Sequence, residues 1–284
     1  MKDNFNFIEV SDNPVGYSVS VFPDGELNVT LDSSIDRKKP VLLSVCLKSS
    51  DSLFVLMQLS DIIRRQELVV KKIVVKYLMG MRCDRMFSLD RPFTLKIVAD
   101  VINSFNAQKV VVVEPHSERT LQLINNAIEY DFTLEYTKML QKDNPNMKFI
   151  APDAGAMTRY NETGICFCGN FEKKRDLTTG RILSLEFKTT LPEHAIITKD
   201  DTVCIIDDLC DGGGTFIMAG EYMRKNFPEG AKLILVVTHA IQQSGLEKLA
   251  QVYDEVYISD SYKDWHAVLK DNPNMTNIKV NTII

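Results

Sequence analysis

Several features that assign proteins to common functional classes are missing from this sequence of 284 residues. The longest apolar runs, such as Leu233–Val237, are far too short to cross a bilayer, which takes about 20 residues. The N-terminus lacks the apolar core of a signal peptide. A net charge of −5 argues against general binding to nucleic acid. We therefore expect a cytoplasmic protein that binds neither membranes nor nucleic acid.

Cysteine pairs and the standard nucleotide motifs are also missing. The six cysteines are scattered and Cys-x-x-Cys does not occur, so a zinc or redox site has little support and reduced thiols are expected. Neither the Gly-x-x-x-x-Gly-Lys-Ser/Thr loop nor the Gly-x-Gly-x-x-Gly fingerprint occurs. A nucleotide site, if there is one, must be recognised from other residues.

The sequence does contain an alternation of apolar strands and helices. Hydrophobic residues make up 45% of the chain and charged residues 25%, which is ample for a sizeable core. The segments 109–127 and 202–222 share one order: an apolar strand, an acid, a short polar turn and a helix. We predict an α/β fold of two tandem domains that meet in the polar segment 141–146, with a mainly parallel sheet flanked by helices in each. The expected domains are residues 1–143 and 144–284.

The stretch 202–215 carries the clearest chemistry. Val203–Ile206 is an apolar run typical of a buried strand, and acids, glycines and a threonine follow it where a helix begins. Glycine permits left-handed backbone angles and close approach of a ligand, and the start of a helix offers free N–H groups to an anion. Carboxylates accept hydrogen bonds from sugar hydroxyls. These residues predict a site for a phosphate beside a polyol: Asp207, Asp208, Asp211, Gly212, Gly213, Gly214 and Thr215.

A glycine-rich turn alone is a weak signal, because any α/β protein can use one to reverse direction. Three carboxylates crowded near the start of a helix make a plain turn the less favoured interpretation. The stretch resembles the ribose-5-phosphate-binding signature of phosphoribosyltransferases and of phosphoribosyl pyrophosphate synthetases. By itself it does not distinguish the two.

Other charged segments have ordinary explanations when each is taken alone. A β-hairpin accounts for Pro23–Gly25. The basic segment 171–180 is predicted to be a loop between strands, and a solvated hairpin tip would account for its charges. The region after His116 is predicted to be a helix from about Glu118 to Ile128.

Taken in order, however, these segments resemble the motifs of the ribose-phosphate pyrophosphokinase family over roughly residues 15–260. The resemblance implies two tandem phosphoribosyltransferase-like domains. The matching segments are Phe22-x-Asp24-Gly25-Glu26, Arg82-x-Asp84-Arg85, Glu114-x-His116, Pro152-Asp153-Ala154-Gly155, Lys173-x-Arg175 and Asp207–Thr215.

The resemblance also implies a role for each segment. Adenine would be bound by Phe22, Asp24 and Glu26, and the rest of ATP by Arg82, Asp84 and His116. Mg²⁺ would be held by Glu114, His116 and Asp153, and a catalytic lid would be formed by Lys173 and Arg175. Ribose 5-phosphate would occupy the acids, glycines and threonine of residues 207–215.

The family reaction transfers the β,γ-diphosphate of ATP to the C1 hydroxyl of ribose 5-phosphate, which gives phosphoribosyl pyrophosphate and AMP. The resemblance therefore implies a Mg²⁺-dependent transferase of nucleotide biosynthesis. It also implies a homo-oligomer, a dimer or a hexamer, whose nucleotide site is shared between subunits.

Four departures from the family pattern bear on specificity and regulation. Glu114 stands for an aspartate, Cys83 for a glutamine and Ala156 for a second glycine, and the segment after His116 does not match. They leave open which nucleoside triphosphate is used, how large the oligomer is, and whether phosphate or ADP controls the activity.

Two other functions stay open. A type I phosphoribosyltransferase would share the loop after Asp207, but it would leave Phe22–Glu26, Glu114–His116 and the doubled architecture unexplained. A non-catalytic regulatory subunit is favoured by Cys83 and opposed by the retained acids and cations.

Overall fold

The computed structural model describes residues 4–86, 88–161, 163–175, 182–189 and 197–283, and for residues 174, 175, 182, 183 and 184 the backbone alone. Contacts within the chain divide it into two units, Met1–Tyr130 and Asp131–Ile284. In the described part of the chain, no helix has both the length and the apolar character needed to pass through a membrane.

The first unit is built on a parallel sheet of five strands in the order β1-β4-β5-β6-β7. These strands are β1 (Asn6–Val10), β4 (Val41–Leu47), β5 (Val70–Leu78), β6 (Val110–Val113) and β7 (Ala127–Tyr130). A separate antiparallel hairpin pairs β2 (Tyr17–Val21) with β3 (Leu27–Leu31). The helices are α1 (Ser50–Arg65), α2 (Thr94–Asn103) and α3 (Arg119–Leu123).

Local sequence explains these elements. β4 is almost entirely apolar and nearly all of it is buried, as expected for a strand inside a parallel sheet. α1 begins at a capping box, in which Ser49 Oγ accepts from the Ser52 backbone N–H at 3.2 Å and Ser52 Oγ accepts from the Ser49 N–H at 3.0 Å. The buried face of α1 carries Leu56, Leu59 and Ile63.

The region after β6 differs from the prediction. Instead of one helix to Ile128, α3 ends at Leu123 and the chain enters β7. The helical path ends at Ile124, whose backbone is extended with φ −97° and ψ 122°. Asn126 then adopts a left-handed φ of 55°, and its carbonyl accepts from the Val110 N–H at 3.0 Å. Pairing with β6 therefore overrides the local helical pattern.

The second unit contains a sheet of seven strands in the order β10-β9-β8-β11-β12-β13-β14. β10 runs antiparallel to β9, and the other neighbours are parallel. Its strands are β8 (Met147–Ala151), β9 (Phe167–Arg175), β10 (Ile182–Thr189), β11 (Thr202–Cys210), β12 (Lys232–Ala240), β13 (Glu255–Ser259) and β14 (Ile278–Asn281). Its helices are α4 (Phe132–Asp143), α5 (Ala154–Asn161), α6 (Gly214–Asn226), α7 (Gln243–Val252) and α8 (Trp265–Lys270).

Helix α4 belongs with the second unit. Thr133 Oγ1 donates to the Asp207 carbonyl oxygen at 3.3 Å and pairs with Thr238 Oγ1 at 2.9 Å, so α4 is bonded to the ends of β11 and β12. The division therefore falls between Tyr130 and Asp131, rather than between residues 143 and 144. The polar segment 141–146, which the sequence offered as a linker, is instead the short connection from α4 to β8.

Strands β9 and β10 form a hairpin anchored on α6. Phe187 of β10 lies 5.4 Å from Phe171 of β9 and 5.6 Å from Phe227 after α6, measured between ring centroids. A Cβ at Gly169 would lie 2.5 Å from the Phe187 ring, so only glycine allows this packing. The loop predicted for residues 171–180 was wrong for its first part, since residues 171–175 continue β9. Residues 176–180 lie outside the described residues.

Candidate active site

The acid and glycine loop, Asp207–Thr215, lies where β11 passes into α6. β11 runs to Cys210, further than the apolar run suggests, so Asp207 and Asp208 stand on paired strand rather than in the turn. Gly213 precedes the helix with a left-handed φ of 76°, and α6 begins at Gly214. The start of α6 thus presents backbone N–H groups at the carboxyl edge of the parallel sheet, where α/β proteins bind ligands.

Arg159 contacts the acids of this loop, and the sequence analysis assigned it no role. It lies on α5, and its guanidinium is ion-paired with Asp208 and lies 3.6 Å from Asp207 Oδ1. The Asp208 side chain is 3% exposed and that of Arg159 is 23% exposed, so both charges are largely withdrawn from water. Burial works to lower the pKa of Arg159, but Asp208, Tyr160 and Asp207 together raise that pKa above its ordinary value.

The surroundings of Asp207 disfavour the charged form of its side chain. Burial, and then the neighbouring Asp208 carboxylate, raise the pKa of Asp207 well above its ordinary value, although Arg159 partly opposes them. A carboxyl crowded in this way gains from a ligand that donates hydrogen bonds to it, as a sugar hydroxyl does.

A second ion pair lies on the neighbouring strands. Asp153 follows β8 and accepts from the Ala156 N–H at 3.0 Å, which places it at the start of α5. Lys173 of β9 donates from Nζ to Asp153 Oδ2 at 2.6 Å. Burial works to raise the pKa of Asp153, but Lys173 and the backbone N–H groups lower it below its ordinary value. Asp153 also acts electrostatically on Asp207, so the two ion pairs belong to one cluster.

The first unit brings two other predicted segments to one sheet edge. Arg82 and Asp84 follow β5, and Glu114 and His116 follow β6, its parallel neighbour. Burial works to raise the pKa of Asp84, but the Arg85 guanidinium, 3.0 Å away, and the Ser117 hydroxyl lower it. Glu114 is buried and adopts a left-handed φ of 39°, a strained conformation of a kind found at functional sites.

The predicted adenine-binding residues lie at the tip of the hairpin formed by β2 and β3. The Gly25 N–H donates to the Phe22 carbonyl oxygen at 2.8 Å, and the Glu26 N–H donates to Asp24 Oδ1 at 3.1 Å. Phe22 is 50% exposed. The turn therefore presents an aromatic ring and two acids outward.

The structure thus groups the predicted residues by unit. The second unit brings together Asp153, Lys173 and the acids of β11, and it adds Arg159. Arg175 ends β9, and its side chain lies outside the described part of the structure. Arg159 follows Asp153 on the first turns of α5, but only the tertiary structure places it against Asp207 and Asp208.

No protein-family model matches this chain. A ribose-phosphate pyrophosphokinase of Marinomonas sp. is 25% identical over 259 residues, which cover 87% of this chain and 79% of the relative. One of Saccharolobus solfataricus is 29% identical over 241 residues, with 82% and 79% covered. The crystal structure of phosphoribosylpyrophosphate synthetase from Mycobacterium smegmatis superposes with a TM-score of 0.75 at 16% identity and covers 99% of this chain and 95% of that one.

The fold defines the class: an α/β protein of two phosphoribosyltransferase-like units, as predicted. Within that class, the chain is a divergent homologue of the ribose-phosphate pyrophosphokinases, which confirms the resemblance seen in its motifs.

The raised pKa of Asp207 leads to a testable prediction about stability. The folded protein binds a proton at Asp207 more tightly than the unfolded chain does, so ionised Asp207 lowers stability at any pH above its unfolded pKa. Asp207→Asn should therefore raise the free energy of unfolding at pH 7 by about 1–2 kcal/mol, and the gain should shrink as the pH falls toward about 4. Urea unfolding at both pH values measures it. Asp200→Asn, at an exposed aspartate, is the control, and a loss of stability in Asp207→Asn at pH 7 would contradict the prediction.

Proposed function

We propose that this protein is a ribose-phosphate diphosphokinase, which transfers the β,γ-diphosphate of ATP to the C1 hydroxyl of ribose 5-phosphate and releases AMP. The observation that carries the proposal is the cluster in the second unit, where the acid and glycine loop lies beside two buried or half-buried cations, Arg159 and Lys173. The homologues' shared name over most of the chain supports the same reaction.

The acceptor sugar fits the loop in two halves. Its 5-phosphate would accept hydrogen bonds from the N–H groups of Gly213–Thr215 and from the Thr215 hydroxyl, at the positive end of α6. Its hydroxyls would donate to Asp207 and Asp208, with Asp211 bordering the phosphate. Donation to Asp207 stabilises its charged form and so removes the cost of keeping that carboxyl ionised.

The two cations reduce the electrostatic repulsion between the triphosphate of ATP and the acids of the site. A triphosphate must approach a site that already holds three acids, and two like charges 4 Å apart repel by about 4 kcal/mol near a protein surface. Arg159 is paired with Asp208 and Lys173 with the neighbouring Asp153, and both cations offset the repulsion. We propose Arg175 as a further cation of the lid, as the resemblance implies.

The bond changes are those of an in-line transfer. The C1 hydroxyl oxygen forms a bond to the β-phosphorus of ATP, and the bond from the β-phosphorus to the oxygen shared with the α-phosphorus breaks. AMP leaves with that oxygen, and the hydroxyl proton passes to solvent. Lys173 would stabilise the negative charge that spreads over the transferred group, so positioning and electrostatics carry the catalysis.

Mg²⁺ is the proposed cofactor. Among the described residues no group of three or more His, Cys, Asp or Glu side chains could hold an ion alone. A site with fewer carboxylates suits Mg²⁺, which commonly takes one or two and completes its shell with substrate phosphates and water. In the first unit we propose Glu114 and His116 for Mg²⁺ at the ATP phosphates, and in the second unit we propose Asp153 for Mg²⁺ beside the sugar site. The bound ion would neutralise phosphate charge.

ATP would be held by the first unit, through Arg82, Asp84 and His116. The ring of Phe22, with Asp24 and Glu26 beside it, would bind adenine. Because Phe22 lies exposed at a hairpin tip, we propose that it serves the nucleotide site of a neighbouring subunit in a homo-oligomer, a dimer or a hexamer. A cytoplasmic location is proposed from the six cysteines, all of which are free thiols.

An assay of AMP release tests the proposal. Purified protein is incubated with saturating ATP, Mg²⁺ and ribose 5-phosphate, and each component is omitted in turn. We expect AMP only when all three are present. Consumption of phosphoribosyl pyrophosphate with a nucleobase and no AMP would instead indicate a phosphoribosyltransferase, and no reaction of either kind would indicate a non-catalytic subunit.

A further inference from the structure

Helix α7 runs beside the acid and glycine loop, and its first contact is at its N-terminus. Gln242, the residue before the helix, donates from Nε2 to Asp211 Oδ1 at 2.9 Å. Its backbone N–H donates to the Asp211 carbonyl oxygen at 3.3 Å, and the Ile241 N–H donates to the Cys210 carbonyl oxygen at 2.9 Å. The two residues after β12 are thus hydrogen-bonded to the loop as far as Asp211.

The second contact, one turn along α7, is a close approach of two backbones. A Cβ added at Gly245 would lie 2.9 Å from both the carbonyl carbon and the carbonyl oxygen of Gly212. Gly245 is buried and its φ is ordinary, so the only obstacle to a side chain is the loop itself. Any larger residue must push the Gly212 backbone away or lift α7.

The third contact lies about one turn further. A Cβ at Gly213 would lie 3.4 Å from Leu249 Cδ1, and Leu249 is fully buried. Gln242, Gly245 and Leu249 therefore meet Asp211, Gly212 and Gly213 one after another, at the spacing that places residues on one face of a helix. Leu246 and Leu249 anchor that face in the core, so α7 is the less movable partner.

We propose that α7 is a template that fixes the backbone of the acid and glycine loop in its binding conformation. Gly245 and Gln242 are then positioning residues for the sugar phosphate. This inference rests on the proposed function for the identity of the ligand. Asp211, Gly212 and Gly214 are exposed. Ordering the backbone of a free loop costs about 1–2 kcal/mol of conformational entropy per residue. The template orders the loop before the ligand arrives, which improves affinity.

Two variants and two readouts test the template. Gly245→Ala should weaken ribose 5-phosphate binding, measured by calorimetry, by about tenfold, and Gln242→Ala by about threefold. In turnover assays the KM for ribose 5-phosphate should rise, whereas the KM for ATP and kcat at saturating sugar should stay near wild type. Amide hydrogen exchange of residues 211–215 in the ligand-free protein should be faster in both variants, whatever the substrate is.

Controls separate the template from general destabilisation. Ser244→Ala changes an exposed residue in the same turn and should match wild type in every readout. Leu140→Ala removes a buried side chain of α4, in a core cluster that contains no residue of α7, and should lower the melting temperature without weakening sugar binding. Equal weakening in Leu140→Ala, or unchanged exchange and binding in both Gly245→Ala and Gln242→Ala, would overturn the proposal. Faster exchange in a protein whose wild type does not bind ribose 5-phosphate would support the template and count against the proposed function.

Discussion

Replacement of Lys173 by alanine is expected to lower turnover by a factor of about 10²–10³, which is the usual effect of removing one group that stabilises transition-state charge. Lys173 Nζ lies 2.6 Å from Asp153 Oδ2, within the cluster that contains the acids of the sugar site. Its substitution removes a cation from the transferred diphosphate and leaves the loop after β11 intact. The kcat from AMP release and the calorimetric affinity for ribose 5-phosphate measure the two effects, and the affinity should hardly change.

Lys188 offers a matched control. It lies on β10 of the same hairpin, its side chain is 45% exposed, and it pairs with Glu186 at 2.8 Å. Lys188→Ala should leave kcat unchanged. If Lys173→Ala retained wild-type turnover, the role assigned to Lys173 would be wrong.

Replacement of Arg159 by methionine is expected to have the largest effect on stability. It would leave the buried Asp208 carboxylate without its cation, and breaking a buried ion pair costs about 3 kcal/mol at the lower end of the usual range. The lower end applies because Arg159 keeps some contact with water. Arg159→Met combined with Asp208→Asn should recover part of the loss, because the stranded charge is then removed.

Urea unfolding of the two single variants and the double variant at pH 7 measures this coupling. Arg64→Met is the control: Arg64 is 74% exposed and pairs with a half-exposed Asp61, so it should cost less than about 1 kcal/mol. A double variant that is less stable than Arg159→Met alone would show that no buried charge had been stranded.

Local chemistry made the loop after β11 predictable. A β-branched apolar run followed by three glycines admits few alternatives to a strand, a turn and a helix start, and Gly213 does adopt the left-handed angle that a glycine permits. β6 was predicted for the same reason, since a short apolar run bounded by polar turns is typical of a buried strand.

The features that the sequence concealed depend on partners far along the chain. Lys173 lies in a strand because β10 pairs with β9 and Phe187 packs over Gly169, which the charges of residues 171–175 hide. α4 joins the second unit through Thr133, whose partner Thr238 lies 105 residues away. The sequence of α5 does not distinguish Arg159 from any other helical arginine. Its role follows from the fold, which brings it to Asp207 and Asp208. No local pattern carries such information.

Identification of the phosphorus products shows which phosphorus of ATP is attacked. ³¹P NMR of a complete reaction with ATP, Mg²⁺ and ribose 5-phosphate distinguishes attack at the β-phosphorus from attack at the γ-phosphorus. We expect AMP and a sugar 1-diphosphate that retains its 5-phosphate, formed in equal amounts. Formation of ADP with a sugar bisphosphate, or an unchanged spectrum, would contradict the proposed reaction.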